Sequence, residues 1–282
     1  MSGYSIFDGT LADMTFPQVE QAAARGAVVL LPTGVIEEHG PHLPLGTDAY
    51  GAYTLARLAR DHLKRRRVEA VIAPPLFWGV NHVTSAFAGT FRTKPETAAA
   101  LHTDVIDSLR TDGFNQIFLV NHQGDIAHNL MLLEVVTAQH LNGGGGVVLL
   151  EPDLVAVRLR AQATGPMLAE LFEHTVAVVD ISAVWNGLRL TGVFGVHAEE
   201  VETSMVARWF PGLVDMIAMQ ELEPTDLTEG DLAEWRKGGD HARRVTPLGY
   251  FGAPRPVAGL WRLYERVAAV MADAVAYRAA RR

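Results

Sequence analysis

Side chains that commonly bind metal ions are concentrated between residues 37 and 48. This stretch, EEHGPHLPLGTD, holds two Glu, two His and one Asp among two Pro and two Gly. Carboxylate oxygens and imidazole nitrogens are preferred ligands of divalent zinc, manganese and iron. Proline and glycine bend a loop so that several ligands can converge. The composition therefore favours a metal site over its main alternative, a hydrophilic loop whose histidines only form hydrogen bonds.

A second polar segment follows a second apolar run in the same way. The stretch 37–48 comes after the β-branched run 27–31, and the stretch 121–125, NHQGD, comes after the run 117–120. Two such runs are predicted to be parallel strands, and ligands in open α/β sheets bind outside the carboxyl ends of the strands. The two segments are therefore expected to face one crevice.

A third segment, residues 197–204 (HAEEVETS), begins a predicted helix. His197 is a candidate general acid or base, because its charge can be set by a nearby metal ion or carboxylate. Glu202 could complete a metal shell or orient a water molecule. Taken alone, this segment is more typical of an acidic first helical turn, which stabilises the helix dipole and requires no chemistry.

The elements that must position these segments alternate between strand and helix. Such alternation indicates βαβ crossovers and a mostly parallel sheet with helices on both faces. The sequence therefore predicts an α/β fold in a single domain over residues 1–282, with residues 221–244 as a charged surface excursion. The predicted strands are 27–31, 68–73, 117–120, 147–150 and 176–181, and the predicted helices are 49–66, 94–111, 130–140, 199–209 and 257–281.

Composition excludes several functional classes. The chain of 282 residues has no cysteine, which rules out disulfides, thiol nucleophiles and cysteine-based metal clusters. Its formal net charge of −8 argues against a nucleic-acid partner. The apolar runs are too short to span a bilayer, and the amino terminus lacks the features of a signal peptide. A cytoplasmic protein with no membrane partner is therefore expected.

Residues 37–48 resemble the motif E-x-H-G-x-H-L-P-L-x-T-D of the creatininase (creatinine amidohydrolase) family over twelve consecutive positions. Two later segments support the resemblance in the correct order. Residues 87–90, FAGT, are similar to the family's F-P-G-T, and residues 197–204 are similar to its H-A-G-x-x-E-T-S. The resemblance extends from about residue 28 to residue 204, with a weak continuation at residues 249–252.

The resemblance implies a creatininase-type fold with two divalent metal ions per subunit, either zinc, manganese or iron. It implies hydrolysis of a C–N amide bond in a small substrate, such as a cyclic amide or a formamide, by a metal-bound hydroxide. Glu37 would bind one ion and His39 the other, and Asp48 would bridge them. His197 would be the acid/base, and Glu202 the carboxylate of the late motif. Family members are commonly homo-oligomers, often hexamers.

The segment 121–125 departs from the family pattern N-G-H-G-G-N. With a one-residue gap, His122 resembles the family's metal-binding histidine. In creatininase itself a glutamate follows two residues later, where this chain has Gly124, so Glu202 or Asp125 would have to supply the missing carboxylate. These departures leave the metal site in place, but they make creatinine an unexpected substrate.

Further candidates surround this expected centre. Side chains that could support the ligands are Glu38, His42 and Asp125, with a solvated side chain as an equal alternative for Glu38. Side chains that could contact the substrate are Asn81, His82, Gln123 and Trp185, although an aromatic residue such as Trp185 is more often part of the core. Histidines expected at the surface or at helix ends are His62, His102, His140 and His174.

Two other functions remain open at this level. A metallo-peptidase or deformylase on the same scaffold would use the same metal site with different pocket walls. A metal-binding homologue without turnover would fit the altered segment 121–125, but the other predicted ligand positions keep side chains that can bind metal. The leading prediction is a metal-dependent amidohydrolase.

Overall fold

The computed structural model describes residues 3–163 and 166–281, and strands and helices alternate through its first half. The strands within these residues are β1 (Val28–Thr33), β2 (Ala70–Ile72), β3 (Ile117–Asn121), β4 (Val147–Pro152) and β5 (Val176–Val179). The helices are α1 (Phe16–Ala24), α2 (Thr47–Arg65), α3 (Pro95–Thr111), α4 (Ile126–Gln139), α5 (Asp153–Gln162), α6 (Pro166–Thr175), α7 (Glu200–Trp209), α8 (Met216–Gln220), α9 (Glu229–Trp235), α10 (Asp240–Val245) and α11 (Arg262–Ala279). The predicted α/β fold is confirmed.

All five strands run parallel in the order β2-β1-β3-β4-β5. Leu30 of β1 lies opposite Ile72 of β2 and Phe118 of β3. The chain leaves β1 toward β2 on one side and returns to β3 on the other. In sheets of this order, the strand ends at that reversal form the crevice in which ligands bind.

The sheet is buried on both faces, which explains its continuous apolar strands. Alternate residues of β1 enter two separate cores: Leu30 packs with Tyr53 of α2 and Met271 of α11, whereas Leu31 packs with Leu132 of α4 on the opposite face. Both faces are thus covered by helices, as the alternation of elements predicts. No helix in the described ranges combines the length and the apolar character needed to cross a bilayer.

Two sequence expectations about exposure fail in part. Residues 221–244 carry charged outer side chains, but Leu232 and Trp235 are buried against Val83 and Phe251 in a third small core, so the segment packs against the body of the protein. His102, expected at the surface or at a helix end, is completely buried in α3, where its side chain bonds the hydroxyl of Thr33 at the end of β1.

Candidate metal centre and active site

The three polar segments converge at the carboxyl end of the sheet. Residues 34–46 follow β1, residues 122–125 follow β3, and residue 197 lies just ahead of α7. Together they enclose a cavity of about 270 Å³ lined by Glu37, Asp48, His122, His197 and Glu202. Helix starts position two of these carboxylates, since Asp48 lies in the first turn of α2 and Glu202 in the first turn of α7.

Two overlapping trios of donor atoms lie at the base of this cavity. One consists of Glu37, His39 and His197, and the other of His39, Asp48 and Glu202; the donor atoms of each trio lie within 4.8 Å of one another. The Nε2 atom of His39 is 3.7 Å from Oδ1 of Asp48 and 3.8 Å from Oε1 of Glu202. His39 is therefore common to both groups.

The ring of His39 is oriented as a metal ligand requires. Its Nδ1 donates to the carbonyl oxygen of Glu37 at 3.1 Å, so Nε2 is the atom that faces Asp48 and Glu202. Burial opposes protonation of the ring, but these two carboxylates outweigh it and raise the pKa of His39. In the neutral form that binds a metal ion, the lone pair is on Nε2. That Nε2 atom is buried and has no hydrogen-bond partner among the described residues. Because a buried nitrogen without a partner is costly, this atom, aimed at two carboxylates, fits a divalent cation.

His197 and Glu38 form a second layer beside His39. The Nε2 atom of His197 donates to the carbonyl oxygen of Glu38 at 2.9 Å and lies 3.3 Å from its carboxylate. The rings of His197 and His39 are 4.5 Å apart, centroid to centroid. Glu38 is only 6% exposed, so its side chain supports His197 and is not solvated.

A strained backbone turn connects His197 to Glu202. Ala198 has a φ of +49°, in the left-handed region that residues with a Cβ seldom adopt. Its amide donates to Oε2 of Glu202 at 2.6 Å. This contact ties one oxygen of Glu202 to the turn and leaves Oε1 directed at His39.

His122 contacts Asp48 and a tyrosine that the sequence reasoning missed. Its Nδ1 lies 3.1 Å from Oδ1 of Asp48, and its Nε2 lies 2.6 Å from the hydroxyl of Tyr264 in α11. His122 belongs to neither trio, and its role as a ligand stays a prediction. Gly51 of α2 allows the approach, because a Cβ there would meet the imidazole at 2.6 Å. No local motif marks Tyr264, which is distant in sequence.

Gln123 occupies the space between two predicted ligands. Its Nε2 donates to Oε1 of Glu37 at 2.8 Å and lies 3.5 Å from Oδ2 of Asp48. Asn81 accepts from the same amide at 3.3 Å and donates to two backbone carbonyls. The hydroxyl of Thr84, also missed, donates to the other oxygen of Glu37. Gln123, predicted to touch substrate, here bonds Glu37, and Asn81, also predicted to touch substrate, bonds Gln123.

Of the remaining predicted residues, Asp125 and His42 bond neighbouring groups near the site, and His82 lies away from it. Asp125 caps α4 and accepts from the amides of residues 82, 83 and 127, so its carboxylate is fully engaged by backbone donors. His42 is buried, and its Nε2 bonds the hydroxyl of Thr203 at 3.1 Å. The imidazole of His82 is exposed and donates to the carbonyl of Lys237, away from the two trios.

The buried charges shift one another's pKa values. Burial and the nearby charge of Asp48 raise the pKa of Glu37 to about 7. Burial opposes ionisation of Asp48, but His39 and His122 outweigh it and lower the pKa of that carboxyl. Burial and the charge of His39 oppose protonation of His197, but Glu38 outweighs both and raises its pKa to about 9. Glu37 is thus difficult to ionise beside Asp48, and a cation bound nearby would favour its ionised form.

A second, apolar cavity of about 250 Å³, here named the apolar chamber, adjoins the first. The two cavities share His122, Gln123 and Gly124. Trp185 lines this second cavity, as does Glu151, whose pKa burial raises to about 8. The predicted substrate residue Trp185 therefore lies beside the candidate metal centre, in the apolar chamber.

Comparison with known proteins shows the same architecture. The family model for creatininase (creatinine amidohydrolase) matches residues 12–274. The mycofactocin precursor peptide peptidase of Mycobacterium ulcerans (strain Agy99) is 27% identical over 216 residues, 65% of this chain and 86% of that protein. The creatinine amidohydrolase of Pseudomonas putida is 23% identical over 237 residues, 81% of each chain. A solved structure described as "Creatininase Mn" superposes with a TM-score of 0.66 at 21% identity, covering 96% of this chain and 97% of that one.

Proposed function

The chain belongs to the creatininase family, and on that premise we propose that it is a metal-dependent hydrolase that cleaves a C–N amide bond of a small substrate. The observation that carries the proposal is the unpartnered, buried Nε2 of His39 at the junction of two donor trios. Four side chains in these trios are expected to hold two divalent ions: Glu37, His39, Asp48 and Glu202.

Zinc, manganese or iron bound there would polarise the amide carbonyl and lower the pKa of water toward about 7, the chemistry that such ions supply. The protein holds the ligand carboxylates in position and limits the access of water to the site. Glu37 is held by Gln123 and Thr84, and Glu202 by the amide of Ala198. These contacts set the carboxylates before substrate arrives, so no reorganisation is required during the reaction.

His197 is the residue we assign to protonate the leaving nitrogen. It lines the cavity, and its ring is fixed by the carbonyl and carboxylate of Glu38. A positioned general acid of this kind contributes typically about 10²–10⁴-fold in rate. The same ring also belongs to the trio with Glu37 and His39, so the competing assignment is that His197 binds a metal ion.

A peptidase is the second candidate, and a specific finding favours it. The first of the two curated relatives described above is a precursor peptide peptidase. Peptide bonds and small amides require the same attack on a carbonyl carbon, so the metal centre does not separate the two functions. A deformylase would use the same metal centre and would differ from both functions only in the residues that line its pocket. A homologue without turnover is disfavoured because the two donor trios are present.

Metal content of the purified protein tests this proposal first. We expect about two divalent ions per chain by elemental analysis and loss of both in Asp48→Asn, since the carboxylate that would contact both ions is removed. His197→Gln separates the two assignments of that residue. Full metal content with turnover reduced about 10²–10⁴-fold supports the proton donor, whereas loss of one ion supports the ligand.

Activity is then measured on matched amides. Cyclic amides, N-formyl amino acids and short peptides are incubated with the metal-loaded protein, and the new amine is quantified. Release of amine that disappears in Asp48→Asn supports the hydrolase. A metal-loaded chain that cleaves none of the three classes favours the non-catalytic homologue. Absence of metal after reconstitution contradicts both.

The expected homo-oligomer, of up to six subunits, and the expected cytoplasmic location stay predictions. Light scattering coupled to size-exclusion chromatography measures the first directly. A single mass of 30.6 kDa would contradict it.

A further inference from the structure

Two arginines line the same cavity as the candidate metal ligands. Arg158 comes from α5, and Arg236 directly follows α9. Arg158 is half-buried and Arg236 is exposed. They bring positive charge to a cavity whose other ionisable lining residues are carboxylates and histidines, in a chain whose formal net charge is −8. Neither residue is part of the catalytic arrangement described above.

Neither guanidinium group has a close acceptor among the described residues, although the charge of Arg158 partly offsets the effect of burial on the pKa of Glu151. Across residues 3–163 and 166–281, neither forms an ion pair or a hydrogen bond with a described residue. Some other arginines are paired: Arg160, two residues from Arg158 on the same helix, pairs with Glu173, and Arg25 pairs with Glu69. The side chains of Arg67 and Arg189 are also unpaired within the described residues, so the feature particular to Arg158 and Arg236 is that they line one cavity.

The two groups also repel one another. Partial desolvation of its side chain lowers the pKa of Arg236, and the positive charge of Arg158 lowers it further. Like charges held close together cost free energy unless an anionic group offsets them. An anion placed between them would remove that cost and supply acceptors for both guanidinium groups, whose planar geometry matches a carboxylate through paired hydrogen bonds.

The apolar chamber opens next to the cavity that the two arginines line. It meets the arginine-lined cavity at His122, Gln123 and Gly124, beside the candidate metal centre. Its walls include Trp185 and Met271. A molecule whose amide lies at the metal centre would therefore have both the apolar chamber and the two guanidinium groups within its adjoining cavities.

We propose that Arg158 and Arg236 form a carboxylate subsite and that the substrate is an amide of an apolar amino acid with a free carboxylate. This assignment rests on the proposed hydrolase function and narrows its substrate class to N-acyl amino acids and peptides with an apolar carboxy-terminal residue. The carboxylate lies between the arginines, the apolar side chain fills the chamber beside Trp185, and the scissile amide lies between them. Inorganic phosphate has related acceptor chemistry and is an arm of the test.

The test measures binding with probes that carry no amide bond. The metal-loaded protein is titrated calorimetrically with 4-methylpentanoate and with 4-methylpentan-1-ol, which share a carbon skeleton and differ in the carboxylate. We expect the acid to bind about tenfold to a hundredfold more tightly, the range for charge-assisted hydrogen bonds. The double variant Arg158→Gln, Arg236→Gln is expected to lose that preference.

The matched control is Arg65→Gln. Arg65 is exposed near the end of α2, about 25 Å along the helix from Asp48 at 1.5 Å per residue, and its variant should keep the preference for the acid. A preference that survives in the double variant overturns the subsite, because the carboxylate is then held elsewhere, for example on a metal ion. Equal affinity for both probes, no binding of either, or tighter binding of phosphate than of the acid also overturns it.

Metal content of each variant is measured in parallel. The double variant is expected to keep its metal, because neither arginine belongs to a donor trio. A wild-type protein that binds metal and cleaves amides without preferring the acid overturns the carboxylate subsite alone. A wild-type protein that binds no metal overturns the proposed hydrolase, and the failure of one idea is thereby distinguished from the failure of the other.

Discussion

Protonation of His128 is expected to destabilise the protein as pH falls below 6.5. His128 lies in α4 beneath the candidate site and is completely buried. Its Nδ1 accepts from the amide of Val80 at 3.1 Å, so the proton of the neutral ring is on Nε2, which has no hydrogen-bond partner among the described residues. Burial and then the neighbouring His102 lower its pKa to about 3.

The size of the effect follows from that shift. The folded pKa of about 3 lies below the ordinary value of 6.5, so between those values the unfolded chain binds one proton more than the folded protein. Each pH unit in that window then lowers the free energy of unfolding by about 1.4 kcal/mol as pH falls. From pH 6.5 to pH 4 the loss due to this residue amounts to about 3 kcal/mol.

The substitution His128→Asn isolates this contribution. The side-chain oxygen of asparagine can accept from the amide of Val80 as Nδ1 does, but it does not titrate. The variant is expected to be less stable at pH 7, because it leaves a small cavity. Its free energy of unfolding should then fall less steeply with pH than that of the wild type. Urea unfolding at half-unit steps from pH 4.5 to pH 7.5 measures both curves.

Both proteins share all other titrating groups, so the difference between their slopes of unfolding free energy against pH reports on His128 alone. The exposed His174 provides the control His174→Asn, whose curve should run parallel to that of the wild type. If the curve of His128→Asn also runs parallel to the wild type across pH 4.5–6.5, the buried ring does not resist protonation and the reasoning is refuted.

Three further substitutions test contacts around the site, each by the free energy of unfolding in urea. Gly249 has a φ of +75°, and a Cβ there would overlap the carboxylate of Glu38, so Gly249→Ala is expected to cost about 1–3 kcal/mol. Tyr264→Phe removes the partner of His122 Nε2 at 2.6 Å and should cost about 1–3 kcal/mol. Leu132→Ala empties a fully buried position in α4 and should cost about 2–5 kcal/mol. A change below about 0.5 kcal/mol, the usual range of surface substitutions, would contradict the corresponding contact.

The layout of the sheet could be predicted because its signals are local. The apolar run before residues 37–48 became β1, and the run before residues 121–125 became β3, with bounds shifted by two residues or fewer. Such strands are buried on both faces and are recognised from a few consecutive residues. Because carboxyl ends of parallel strands meet at one edge, the two polar loops were also expected to face each other, and the cavity between them bears this geometry out.

Contacts between distant segments could not be predicted in the same way. His122 and Tyr264 are separated by 142 residues, and no local pattern in either segment marks the other. The burial of His102 and Trp235 likewise arises from packing against elements remote in sequence. The direction of a side chain was equally hidden from the sequence: Gln123, predicted to contact substrate, bonds Glu37.

The sequence by itself determined the α/β class, the family and the candidate donor side chains, since each depends on residue type and short spacing. Only the tertiary structure decided which donors share a centre. It also decided which histidine nitrogen is left without a partner, and which two arginines border the same cavity. Those outcomes depend on distances of a few ångströms between segments that the chain brings together only when both cores of the sheet are packed.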